Sequence, residues 1–331
     1  MYFQELGTFA SLPLAEFEPG STDLPPTDTV AWRLSYDWKA APEPFAWLWH
    51  TFLDTVSAAE VRAVVIGRWW HDAVIDDREA YAYHESARSV VDLLCASAPR
   101  LPALRGIFLG DVTPEESDLS FLRMCDVTPL LEAFPLLEEF TVRGCSVHQE
   151  DMGQLSFRPV RHGRLRALRF ESGGLSGELV RNVAASELPR LEHLALWLGE
   201  EYYGCDATMA DLAPILADGR FPGLRHLGLQ NSEFQDEIAV AVASSPVVPR
   251  LTALDLSLGT LSDAGAEALL GGQPLNHLRR LNLHHHYLSA EMADRVRTAL
   301  ERHGVQVDLS DGQEAEVLPT GEVFRYVAVA E

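Results

Sequence analysis

Leucine recurs along this chain in one phrase, Leu-x-x-Leu-x-Leu, with polar and small residues filling the gaps. The phrase runs over Leu165 to Phe170, Leu191 to Leu196, Leu224 to Leu229, Leu251 to Leu256 and Leu278 to Leu283, and looser copies begin at Leu137 and Leu104. Successive copies start 33, 28, 26, 33, 27 and 27 residues apart. A period in this range marks a solenoid, in which each coil buries its apolar face against the next. Within a copy the alternation predicts a strand: the leucines at the fourth and sixth positions point inward, and the residues between them point out.

Short amphipathic helices are predicted between the strands, over Val90 to Ala98, Leu179 to Ala185, Met209 to Ala217, Ile238 to Ser244 and Ala264 to Leu270. Strand, turn, helix and strand in so short a repeat leave parallel strands with helices on one side. A last helix spans Ala290 to His303, and Val305 to Leu309 adds a final strand. Upstream, residues 1–28 read as an irregular lead-in, Val30 to Tyr36 as a strand, Phe45 to Leu53 as an aromatic helix, and Val61 to Ile66 as a degenerate first repeat strand. The expected organisation is one continuous domain: a lead-in and cap over 1–60, the solenoid over 61–309, and a capping tail over 310–331. In that tail Val323 to Val329 alternates like a strand that closes the C-terminal end. The tryptophans Trp32, Trp38, Trp47, Trp49, Trp69 and Trp70 read as the core of the N-terminal cap, not as a ligand cage.

The segment Leu251 to Leu269, LTALDLSLGTLSDAGAEAL, resembles the leucine-rich repeat superfamily in its long-repeat, ribonuclease-inhibitor-like form. The resemblance covers about residues 100–309. It implies an α/β fold: a right-handed leucine-rich-repeat solenoid, or horseshoe, with a parallel concave sheet and convex helices, capped at both ends. It also implies protein binding through the concave sheet. One departure concerns the ninth phrase position, usually Asn or Cys, which here holds Cys145, Gly173, Gly199, Ser232, Gly259 and His286. The side-chain ladder that satisfies backbone groups at that corner is therefore largely missing. At finer scale, Leu196 to Gly199, Leu256 to Leu261 and Leu283 to Leu288 are similar to a bacterial family of cytoplasmic leucine-rich-repeat proteins with no established activity. Its members are often encoded beside enzymes of radical S-adenosylmethionine chemistry. That resemblance implies a companion biosynthetic enzyme, or its peptide substrate, as the partner.

Composition narrows the partner. The 331 residues carry a net charge of -23, which argues against nucleic acid and against an anionic membrane surface. Four scattered cysteines and an N-terminus without a signal-like apolar run lead to the expectation of a cytoplasmic protein. No catalytic or phosphate-cradling motif is present, and no enzyme activity or cofactor is expected.

The outward strand positions form the candidate binding floor: Arg143, Arg169, Glu171, His193, Trp197, His226, Gln230, Asp255, Asn282 and His284. Seven strands about 4.8 Å apart extend over roughly 29 Å, which suits a protein face or an extended peptide. Trp197 is expected on the open side beside Arg143 and Arg169, as an interface anchor; the alternative is an indole buried under a loop. The two 33-residue repeats carry their excess just after the strand, in loops on one rim. The first contains Asp111, Glu115, Glu116 and Asp118, the second Glu200, Glu201, Tyr202 and Tyr203. A site between these loops, floored by Arg143, Arg169, Glu171 and Trp197, is the sharpest expectation. The competing class is a metal-dependent enzyme using His284, His285 and Asp255, although adjacent strand residues point in different directions and rarely converge on one ion. The basic run Arg158, Arg161, His162, Arg164, Arg166 and Arg169 reads as a solvated edge paired with surplus carboxylates.

Overall fold

The structure, a computed structural model, describes residues 6–36, 44–70, 86–145 and 154–330. Among these, one 12-stranded sheet runs in strict chain order from β1 to β12. Its strands are β1 (Thr8–Phe9), β2 (Leu12–Glu16), β3 (Ala31–Leu34), β4 (Ala63–Ile66), β5 (Gly106–Leu109), β6 (Glu139–Arg143), β7 (Ala167–Glu171), β8 (His193–Gly199), β9 (His226–Ser232), β10 (Ala253–Asp255), β11 (Arg280–Asn282) and β12 (Gln306–Asp308). Only β1 is antiparallel to its neighbour; β2 through β12 pair in parallel. Parallel neighbours in chain order are what a repeating strand–helix coil must give.

The helices are α1 (Phe45–Thr55), α2 (Ala87–Ser97), α3 (Thr128–Ala133), α4 (Gly177–Ala185), α5 (Met209–Leu216), α6 (Gln235–Ala243), α7 (Asp263–Gly271) and α8 (Ala290–Glu301). Several start where the sequence supplies a cap. Ser86, Ser176, Ser262 and Ser289 each accept a backbone N–H from the first turn of α2, α4, α7 and α8. Thr208 and Asp211 form a reciprocal capping box on α5. The helices lay Leu94, Leu179, Val183, Leu212, Ile238 and Val296 against the inward leucines, making one continuous core along the stack. Among the described residues no helix is long and apolar enough to cross a membrane.

Both ends differ from the sequence reading. Residues 8–16 are a hairpin, not an irregular lead-in. β2 is paired in parallel with β3, and β1 folds back so that Phe9 lies on the outward face of the sheet. There Phe9 packs 5.9 Å from the Phe108 ring and closes a small cluster with Ala31, Ala63 and Val65. The turn is Ala10-Ser11, both left-handed at φ 50° and 61°, without the Gly or Asn that normally advertises such a turn. Trp32, Trp49, Phe52 and Phe17 pack together inside, so these aromatics are core. Trp47 is exposed, and Trp38 lies outside the described residues.

The C-terminal tail does not form one alternating strand. Val323–Phe324 (β14) pairs with Glu316–Val317 (β13) in a separate hairpin. Residues 326–330 then run back as a strap along the rim where the sheet strands end. Three rim residues spaced 27 apart, Asn231, Leu258 and His285, are left-handed at φ 54°, 67° and 57°. Each receives the strap: His285 Nε2 lies 3.2 Å from the Tyr326 carbonyl, the Leu258 carbonyl accepts Ala328 N–H at 2.8 Å, and Asn231 pairs with Val329. The strap ends against Gly173, where a Cβ would lie 2.2 Å from the Ala330 carbonyl oxygen. Glycine at that corner is what lets the tail approach. It replaces, in part, the missing side-chain ladder. His286 supplies another part, with Nε2 3.2 Å from the Leu309 carbonyl and Nδ1 accepting Leu288 N–H.

Candidate functional site

The outward positions fall into three stretches along the concave sheet. At the N-terminal end the hairpin covers the floor, so Phe108 is buried and unavailable.

In the middle lies a row of alternating charges. Arg33 reaches Glu16 at 3.1 Å and Asp111 at 2.8 Å. Arg143 stands 3.9 Å from Asp111 and 2.8 Å from Glu171. Glu171 also holds Arg169 at 3.2 Å. The order Glu16, Arg33, Asp111, Arg143, Glu171, Arg169 spans the sheet from β2 to β7. Arg143 packs its guanidinium over the Phe108 ring and donates to the Val112 carbonyl. Burial alone would push the Glu171 carboxyl up, but Arg143 and Arg169 outweigh it and hold it below the usual carboxylate range.

The expected binding centre therefore needs correction. Arg143 and Glu171 are buried, and Trp197 is only 6% exposed. Trp197 is in register with Gln230 of β9 and follows the Phe170–Leu196 pair, with its indole enclosed instead of displayed. Of the proposed floor of Arg143, Arg169, Glu171 and Trp197, only Arg169 has an open side chain, 41% exposed. The rim loops differ from each other as well. Asp111 turns inward to Arg33 and Arg143, and Glu116 accepts Thr113 N–H, while Glu115 and Asp118 face solvent. Glu200 accepts the strap's Val327 N–H; Glu201 and Tyr202 are exposed, with Tyr202 edge-on to Tyr203. The second loop thus braces the tail.

The third stretch is open. Register aligns Arg169 with Ala195, Gly228, Asp255 and Asn282 across β7 to β11. Two small residues between long polar ones leave a cavity of about 340 Å³, lined by Arg169, His193, His226, Gln230, Asp255 and Asn282 among others. Six of the sequence-derived candidates are thereby brought together. Arg279 and Arg280, at the start of β11, line it too. Gly228 has a local reason: a Cβ would lie 2.7 Å from Gln230 Oε1, so glycine lets the amide fold over the floor. Gln230 Nε2 donates to Ser257 Oγ, Ser257 Oγ donates to Asp255, and Asn282 Nδ2 donates to Asp255. These bonds fix the far wall.

His193 and His226 form the lower lip. Their Nδ1 atoms are 3.4 Å apart and the rings stand edge-to-face. His193 is lowered to about 4, by burial first and then by Arg169 and His226. Burial lowers His226 against the pull of Glu192. Both rings are thus neutral near pH 7, and the short Nδ1 to Nδ1 distance suits a hydrogen bond when one ring carries its proton on Nδ1.

His284 and His285 both approach Asp311, at 3.9 and 3.1 Å, whereas His286 turns to backbone. His284 Nδ1 also meets Ser310 Oγ, and Asp255 is engaged apart from them by Ser257 and Asn282. Among the described residues no group of three His, Cys, Asp or Glu side chains could hold a metal ion. Most of the basic run is paired: Arg158 with Asp126 and Glu132, Arg161 with Glu187, and Arg166 with Glu192, while buried His162 bonds the Phe134 carbonyl.

No family model matches the chain, and no curated protein does. Among solved structures, a Bacteroides fragilis protein determined by a structural genomics consortium superposes with a TM-score of 0.75 at 28% identity, covering 86% of this chain and 76% of that one. The two share the fold over most of their length. An internalin from Listeria monocytogenes is also found, at 13% identity and a TM-score of 0.28, covering 77% of this chain and 82% of that one. That overlay is too loose to carry an argument.

Proposed function

We propose that this protein is a non-catalytic binding scaffold of the leucine-rich-repeat type, and that it takes a protein or extended peptide on the open C-terminal half of its concave sheet. One observation carries the reading. Arg169, His193, His226, Asp255, Arg280 and Asn282 converge from β7 to β11 on a floor emptied by Ala195 and Gly228. Side chains that serve only solubility have no reason to surround a cleft, and loops or sheet faces with convergent polar groups are where recognition concentrates. The parallel sheet in chain order supports the repeat assignment, and the rows of outward residues supply a contact area of protein-interface length.

The binding centre lies around Arg169, His193 and His226, on β7 to β9, nearer the start of the strands than the buried Trp197. A companion enzyme or its peptide substrate remains the partner class that the sequence resemblance implies. The test is affinity capture from native lysate with three baits: the unmodified chain, a His226→Glu/Arg280→Glu variant of the concave face, and an Arg297→Glu variant of α8. The partner is expected on the first and third baits and lost from the second. A partner retained by the concave variant and lost by the α8 variant overturns the reading.

A further inference from the structure

The row of charges is incomplete. Glu16, Arg33, Asp111, Arg143, Glu171 and Arg169 alternate in sign, each touching the next. Every arginine inside the row touches a carboxylate on each side: Arg33 touches Glu16 and Asp111, Arg143 touches Asp111 and Glu171. The last member breaks that rule. Arg169 donates through one nitrogen to Glu171, and no other hydrogen bond to it is present among the described residues. The next position in register is Ala195, then Gly228, so beyond Arg169 the row meets the empty cavity.

We propose that a carboxylate side chain of the bound partner, an Asp or Glu within an extended segment, enters this cavity and completes the row against Arg169. The inference rests on the concave-docking reading given above and specifies its chemistry. The charge balance of the lining favours an anion: Arg169, Arg279 and Arg280 stand against Asp255, with Asp308 4.0 Å from Arg280 outside the cavity, in a chain whose net charge is -23. Asp255 is already engaged by Ser257 and Asn282, which limits its repulsion. A guanidinium with free N–H groups offers the planar fork that carboxylates match. The volume of about 340 Å³ is at the lower end of ligand clefts and suits an inserted side chain better than a large cofactor.

The histidine lip provides a readout. His193 is held at about 4 partly by Arg169. A carboxylate placed beside both offsets that repulsion and raises the His193 pKa.

The experiment uses the full chain with carbon-13-labelled histidine and two blocked peptides at matched ionic strength, acetyl-Gly-Glu-Gly-amide and acetyl-Gly-Gln-Gly-amide. The glutamate peptide is expected to shift the His193 and His226 ring signals saturably in the millimolar range and to raise the His193 midpoint; the glutamine peptide is expected to do neither. Arg169→Gln should weaken the response about tenfold or more, the loss typical of a charged hydrogen bond, and Arg295→Gln on α8 should leave it unchanged. Equal responses to both peptides, or an undiminished response in a folded Arg169→Gln protein, overturn the proposal. Those results leave concave docking standing. A partner indifferent to the concave variant sinks docking without touching the peptide result.

Discussion

Asn231 grips Val329 by both ends of its amide: Oδ1 accepts the Val329 N–H at 3.0 Å and Nδ2 donates to the Val329 carbonyl. The two residues are 98 apart in sequence, and both are buried. This pair fixes the C-terminal strap to the rim of the sheet. Asn tolerates the left-handed backbone found at position 231 better than most residues. Asn231→Gly removes the amide without adding backbone strain. It should cost about 1–3 kcal/mol, since it leaves buried strap groups unpaired. Deleting 326–330 in the Asn231→Gly background should cost less than the same deletion in the parent chain, because the two changes share one interaction. Denaturant unfolding of the four proteins checks this; strict additivity would show that the strap is not held by Asn231.

Glu171 lies between two arginines and is 3% exposed. Glu171→Ala should destabilise by about 3 kcal/mol, because it takes away the nearer counter-charge of buried Arg143 and leaves Asp111 at 3.9 Å. Arg169→Gln, on a more exposed partner, should cost no more than about 1 kcal/mol. Equilibrium unfolding measures both, and the expected order is a large loss for the first and a small one for the second.

Phe9 covers Phe108 and the small residues beside it. Phe9→Ala should cost about 3 kcal/mol by emptying that cluster. It should also speed proteolysis within residues 6–16, with fragment masses as the readout.

Acid should loosen the fold through the histidine lip. His193 titrates near 4 in the folded chain, below the value of about 6.5 for an unfolded histidine. Between those limits the unfolded state binds more protons, so this group's stabilising contribution is full above about pH 6.5 and declines as pH falls toward 4. His162, His226 and His286 are also lowered and act in the same direction. Comparing thermal midpoints of the parent and His193→Gln at pH 7 and pH 5 should show a smaller acid loss in the variant.

Much of this architecture is written in the leucine phrase. The period places β5 through β11, and alternation sends Arg169, His193, His226, Asp255 and Asn282 to one face, because inward and outward positions are fixed by strand geometry. What alternation does not encode is the element that lies over an outward residue. Phe108 is covered by a hairpin whose Ala10-Ser11 turn carries no glycine, and Trp197 sits enclosed in an outward column. The strap escaped for a related reason. Its partners Asn231, Leu258 and His285 share no residue type, only a backbone conformation that recurs every 27 residues. A signal for the cavity was present in hindsight: Ala195 and Gly228 are adjacent small residues in a column otherwise filled by Phe, Thr, Arg, Asp and Asn.

The most direct test of the central claim is site-specific photo-crosslinking in native lysate, with the photoreactive residue placed at His226 on the concave sheet or at Arg297 on α8. The account predicts a discrete higher-mass adduct with a partner protein or peptide from position 226 and none from position 297. An adduct formed from position 297 alone would contradict it.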